Sequence, residues 1–203
     1  MKSENGRSMV EMLGVLAIIG VLSVGAIAGY SKAMMKYKLN KHAEAVNMLI
    51  NNVLSIKDKL QHNETGETYY GTLLYKMNLI PDGIKYINNA SFRDSYFNGN
   101  IWVYYSNGLS YGGVGFQFDS ASSVGAEACR NIAIVSKENA GNLYLITLQK
   151  SDLNSNVDYT GTLYGNTYCQ EEKACLHNLD LNKINTLCNL CDAKSCRIYV
   201  LWK

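Results

Sequence analysis

The sequence predicts an α+β protein. A long N-terminal α-helix, membrane-spanning in its first half and amphipathic in its second, packs on an antiparallel β-sheet head with a disulfide-bonded C-terminal region. Three observations carry this. Residues 12–30 hold no charged side chain, a run close to the ~20 residues that cross ~30 Å of hydrocarbon as a helix. Beyond it Leu39, Ala43, Val46, Ile50, Val53 and Leu60 recur at helical spacing between polar residues, the signature of one apolar face. All six cysteines lie in the later part of the chain, at Cys129, Cys169, Cys175, Cys188, Cys191 and Cys196. An even set of this kind points to a disulfide framework in an oxidising compartment.

The elements follow in order. No proline precedes Pro81, so one helix runs from about residue 8 to residue 60, roughly 80 Å long. The polar stretch QHNETGET, with its Gly66, ends it. Residues 69–79 predict a short helix before the turn residues Pro81, Asp82 and Gly83. Residues 101–105 and 114–118 are β-branched and aromatic and flank Gly-rich positions, which predicts a hairpin with a longer loop. Ser123 is the expected N-cap of a helix over 124–137, with Gly141 beyond its end and Ala126, Cys129, Ile132 and Ala133 on one face. Residues 143–148 predict a central strand, and 198–202 a last strand that closes the sheet from the C-terminus. Between them lies a polar, Asn-rich segment holding five of the cysteines.

Composition narrows the function. The net charge of +2 gives no broad electrostatic case for nucleic acid. No Gly-x-Ser-x-Gly, Walker loop or His-Glu-x-x-His is present, and His42, His62 and His177 are far apart, so hydrolysis has no support. Cys188 and Cys191 form a C-x-x-C, but no strand precedes it as a redox pair requires, and a structural disulfide is the favoured reading. Cys169, Cys175, His177, Cys188 and Cys191 do not have usual zinc spacing. No enzyme activity, metal or cofactor is expected. The fifteen tyrosines suit strand faces.

Glu11 stands at the head of the apolar run. An intramembrane carboxylate costs ~2.5–3.5 kcal/mol at a helix centre and less near its end. Glu11 either snorkels to the interface or pairs with a positive charge at similar depth. A cut after Gly6 would supply that charge as the new amine of Arg7. An ordinary cleavable signal peptide is the alternative, with the small residues Gly25, Ala26, Ala28 and Gly29 as its processing site. Charge bias alone, with Lys32, Lys36, Lys38 and Lys41 after the run, favours the opposite orientation in the membrane from the one the cysteines demand.

The charged leader at 1–5, then Gly6, Glu11 and a long apolar helix resemble the class III signal of type IV prepilins and the related pseudopilins. Downstream, LLYKMNLIPDGI, NGNIWVYYSNG and GAEACRNIA are similar in order and spacing to type IVb pilins. The residue after the cut is Arg7, where that family carries Phe, Met or another apolar residue. The resemblance implies a leader at 1–6, a filament-core half-helix at 7–30, an amphipathic half at 31–61 and a pilin head at 62–203 with its Cys-rich region at 150–203. It implies cleavage between Gly6 and Arg7 by prepilin peptidase, N-methylation of the new terminus, and pairing of Glu11 with the amine of an adjacent subunit.

The implied partners are other copies of the chain in a helical filament, an inner-membrane assembly platform, the inner membrane before assembly, and a host or surface receptor. The implied location is the bacterial inner membrane with the head in the periplasm, then the extracellular pilus. Gly14, Gly20, Gly25 and Gly29 would allow close helix approach, and the resemblance implies local stretching of the helix over 20–29 in the filament. It also marks the C-terminal cysteines as a disulfide-bounded region. By position Cys129 joins Cys196, or else Cys191, while Cys169–Cys175 and Cys188–Cys191 complete the set. A pseudopilin of a type II secretion system is the alternative within the class. A membrane-anchored periplasmic binding or thiol-redox protein is the alternative outside it.

Overall fold

The computed structural model describes residues 9–119, 123–151, 157–189, 191 and 195–203. In chain order they form α1 (Met9–Ile56), β1 (Glu67–Tyr69), α2 (Gly71–Lys76), β2 (Ile84–Asn88), β3 (Ser91–Asp94), β4 (Asn100–Ser106), β5 (Tyr111–Asp119), α3 (Ser123–Glu138), β6 (Leu145–Ser151), β7 (Val157–Tyr164), α4 (Leu181–Asn189) and β8 (Ser195–Trp202). The chain divides into two compact units, the first ending at Lys38 and the second running Leu39–Lys203. The expected α+β class is observed, with the long helix, the antiparallel sheet and the disulfide-bonded C-terminal region.

In the second unit α1 buries His42, Ala45, Val46, Leu49, Ile50 and Val53. These positions recur every three or four residues and therefore share one helix face. The expected stripe is rotated slightly: Val46, Ile50 and Val53 are buried, but Leu39, Ala43 and Leu60 are only partly so. Helix geometry gives way at Ile56 to a 3₁₀ turn at Lys57–Lys59.

The sheet has strand order β2-β3-β4-β5-β8-β6-β7, with β1 paired to the far end of β4. Every pairing in it is antiparallel. The predicted hairpin is β4–β5, in register at Ile101 with Phe116 and Val103 with Val114. The last strand does not cap an edge. β8 inserts between β5 and β6 and is paired along both sides. The strand expected at 143–148 is β6, interior but displaced from the centre by β8. Residues 69–79 are not one helix: Tyr69 ends β1, and only α2 is helical. The turn residues behave as expected, with the Ile84 amide donating to the Pro81 carbonyl and Gly83 at φ 87°, a conformation in which glycine carries no Cβ penalty. Helix α3 includes Ser123 as its first residue, and its buried face holds Ala128, Cys129, Ile132 and Ala133 rather than Ala126.

Strand alternation sorts the sheet into two faces. One carries Ile101, Val103, Val114, Phe116, Phe118, Ile146, Leu148, Ile198 and Val200, which join the stripe of α1 and the inner face of α3 in the main core. The other carries Tyr104, Leu145 and Leu201 beneath partly buried Tyr69, Trp102, Tyr111 and Tyr199.

Close packing of main chain is sharpest at Gly165, just past β7. Its amide donates to the Tyr144 carbonyl, and a Cβ there would run into the Leu143 carbonyl. At Gly141 a Cβ would meet open space. Gly165→Ala should therefore cost ~1–3 kcal/mol of stability by forced backbone displacement, while Gly141→Ala stays within ~0.5 kcal/mol. Urea unfolding of the two variants in detergent solution checks this. Equal stabilities would contradict the packing at Gly165.

Candidate functional site

Within the first unit, the apolar side chains of the first half of α1 lie exposed. Met9, Val10, Leu13, Val21 and Val24 are 85%, 75%, 65%, 75% and 70% exposed. A contiguous apolar surface of this kind marks a membrane or interaction site. By length and composition the helix is able to cross a membrane. The one serine within the charge-free run 12–30 is already satisfied, because the Ser23 hydroxyl donates to the Ile19 carbonyl at 2.7 Å.

Glu11 falls in the first turn of the described helix, where the helix dipole favours a negative charge by ~0.3–1 kcal/mol. Gly6 and Arg7, the expected cleavage pair, lie outside the described residues. Gly14, Gly20, Gly25 and Gly29 all lie within continuous α-helix. A Cβ at any of the four would meet nothing within 4 Å. Each costs ~1 kcal/mol of helix stability relative to alanine, and among the described residues no contact requires the missing side chain.

The cysteines form three disulfides: Cys129–Cys188, Cys169–Cys175 and Cys191–Cys196. The Cys169–Cys175 pairing is as expected. The other two correct the positional reading, which joined Cys129 to Cys196 and Cys188 to Cys191. The cause is α4, which the sequence did not signal. It lies against α3 and brings Cys188 to Cys129, Asn185 to the Arg130 Nε at 2.8 Å, and Asn189 to the Arg130 Nη2 at 3.2 Å. Cys196 is then left to Cys191, five residues upstream. The C-x-x-C motif is split between two bridges and does not form a dithiol couple. His177 approaches Cys169 and Cys175 within 4.8 Å, but both sulfurs are consumed in their own bridge.

Sequence reasoning gave His42 no role. It lies on α1 within the head, 1% exposed, against the rings of Phe97 and Phe118. Asn131 of α3 reaches α1 twice: its Nδ2 donates to the Leu39 carbonyl at 2.8 Å and lies 3.2 Å from the His42 Nδ1. An amide donor facing Nδ1 makes that nitrogen the acceptor and leaves the proton on Nε2. That atom faces the Asp94 carboxyl at 3.8 Å, beyond hydrogen-bond reach. Asp94, also 1% exposed, accepts the Tyr96 and Phe97 amides at 2.8 and 3.2 Å. The residues join α1, β3 and α3 at one buried junction. Burial lowers the His42 pKa from 6.5 to about 4 and raises that of Asp94, with the two amides opposing the latter shift.

No protein-family model, curated protein or solved structure matches the chain. The functional reading rests on its own residues.

The two buried groups pull stability in opposite directions with pH. The lowered His42 pKa means that the unfolded chain binds more protons between pH 6.5 and about 4, so this contribution is lost as pH falls through that window. The raised Asp94 pKa contributes stability at low pH that is lost as pH rises. In Asp94→Asn, His42 acts alone, and denaturation of the full chain should show up to about 3 kcal/mol lost between pH 6.5 and 4. Adding His42→Gln should flatten the profile. A flat profile in Asp94→Asn alone would contradict a buried neutral imidazole.

Proposed function

We propose that this chain is the structural subunit of a type IV pilus filament and has no catalytic role. The observation that carries the reading is the first half of α1: an apolar helix with an acid at its head and four glycines whose sides are open among the described residues. Small residues on an apolar helix let another helix approach closely. The subunit is held in the bacterial inner membrane with its head in the periplasm. Prepilin peptidase cuts between Gly6 and Arg7, and the new terminus is N-methylated. An assembly platform then moves the helix from lipid into the filament core, where packing against other copies replaces lipid contact. Glu11 meets the terminal amine of a neighbour and sets axial register. The pilus becomes extracellular, and its surface is available to a receptor. Disulfides suit the oxidising compartments on that route.

The experiment is co-expression with prepilin peptidase and an assembly platform, followed by shearing and recovery of filaments. The unaltered chain should give filaments. Glu11→Ala should remain in the membrane fraction but yield at least about tenfold less filament, in line with loss of one ~1–3 kcal/mol charge-assisted pair per subunit. A map of the filament should show α1 opened over 20–29. Equal filament yield from Glu11→Ala, or unbroken α-helix across those glycines, would contradict the proposal at the corresponding step.

A further inference from the structure

The sheet face opposite α1 is built as a trough. Three rows cross the strands β4, β5, β8 and β6. The first aligns Tyr104, Gly113, Leu201 and Leu145, the second Trp102, Gly115, Tyr199 and Thr147, and the third Asn100, Gln117, Arg197 and Gln149. Glycines at the second place of the first two rows lower the floor along β5. A Cβ at Gly115 would fall within the Trp102 indole, and one at Gly113 against Leu201 and Tyr104. The Trp102 ring therefore lies down over β5 and meets Tyr199 edge to face, centroids 5.8 Å apart and planes at 72°. Trp102 and Tyr199 both line the resulting cavity of about 480 Å³, within the ~300–1,000 Å³ of small-molecule sites.

Its polar groups are fixed in place. The Arg197 Nε donates to the Gln117 Oε1 at 3.3 Å, and the Tyr199 hydroxyl donates to the Gln149 Oε1 at 3.1 Å. At the other end the Tyr69 hydroxyl donates to Glu67 at 2.6 Å. Tyr69, Tyr104, Tyr111, Tyr199 and Glu67 all line this one cavity. The cavity thus has an aromatic floor, a wall of amide and guanidinium, a cluster of phenolic hydroxyls, and one acid balanced by one base.

We propose that this trough binds a neutral saccharide, with the sugar's C–H face stacked on Trp102 and Tyr199 and its hydroxyls bonded to Gln117, Arg197 and Glu67. A pyranose has one apolar ring face and a rim of donors and acceptors. The negative faces of aromatic rings suit the first, and the fixed polar wall suits the second. The balance of Glu67 against Arg197 favours an uncharged ligand. An apolar side chain from a protein partner would desolvate the Gln117 amide and the Arg197 guanidinium, whose one bond to each other leaves further donors to satisfy, which is costly. This site stands independently of the filament reading.

The test uses the full chain in a detergent without a sugar head group. Trp202, the other tryptophan, is buried at 4% exposure, so contact with a sugar is read by Trp102. Titration with cellotriose, maltotriose and triacetylchitotriose should give, for at least one, a saturable change in tryptophan emission with a Kd of roughly millimolar order or tighter. Trp102→Phe removes the fluorescence signal but keeps a ring, and saturation-transfer NMR should still detect the sugar. Gln117→Ala combined with Arg197→Ala should weaken binding at least about tenfold with unchanged circular dichroism, as loss of two hydrogen-bonding groups requires. No saturable response to any of the three sugars overturns the proposal. So does binding that survives the double replacement, or an emission change that follows protein concentration alone and assigns the trough to a second copy.

Discussion

The structure depends on where the apolar side chains of α1 find neighbours other than water. In the second unit they find them inside the chain: Val46, Leu49 and Val53 are fully excluded from solvent. At ~1.5–3 kcal/mol for each buried aliphatic side chain, this stripe seeds the core on which the sheet and α3 close. The first half of the helix is more apolar still, and its side chains lie exposed. By length and composition this segment is able to cross a membrane. Its four glycines, beside which an added Cβ would meet open space among the described residues, each cost ~1 kcal/mol of helix stability relative to alanine.

The head is closed late in the chain. The strand that ends at Trp202 occupies the middle of the sheet, so the core is incomplete until the final residues are in place. The cysteines act on the segment just before it. The Cys129–Cys188 bridge closes the longest loop, with a separation of 59 residues, and in the chain-entropy account a bridge of that span contributes about 4 kcal/mol. It holds α4 to α3, and α3 in turn meets α1 at Asn131 and His42. The C-terminal region is therefore tied covalently to the helix that contacts the buried junction. On the second face of the sheet the glycines of β5 shape a recess beside the smaller buried cluster of Tyr104, Leu145 and Leu201.

Much of this was legible in the sequence. A charge-free run and a helical stripe are strong periodic signals, and the β4–β5 hairpin is dense in β-branched and aromatic residues. What was missed had weak or competing signals. β2 and β3 are short and largely polar on their outer sides. β7 and α4 lie in a polar segment, where Ile184 and Cys188 are the buried anchors of a single short helix. Without α4, position alone misassigned two of three disulfides. The rotation of the α1 stripe was missed because His42 reads as polar, although its neutral imidazole packs as an aromatic ring. The trough was illegible because it depends on cross-strand register, which places glycines beside Trp102 and Tyr104. Gly6 and Arg7 remain legible only as a motif.

The central claim is that this chain is processed to expose a new terminus four residues before Glu11 and is then assembled. N-terminal sequencing and intact mass of the protein from its native envelope, with and without prepilin peptidase, test it most directly. The account predicts a peptidase-dependent start at Arg7, with about 14 Da added where the amine is methylated. An uncut Met1, or a start within 28–30, would contradict it and make Glu11 an anchor or signal-peptide residue.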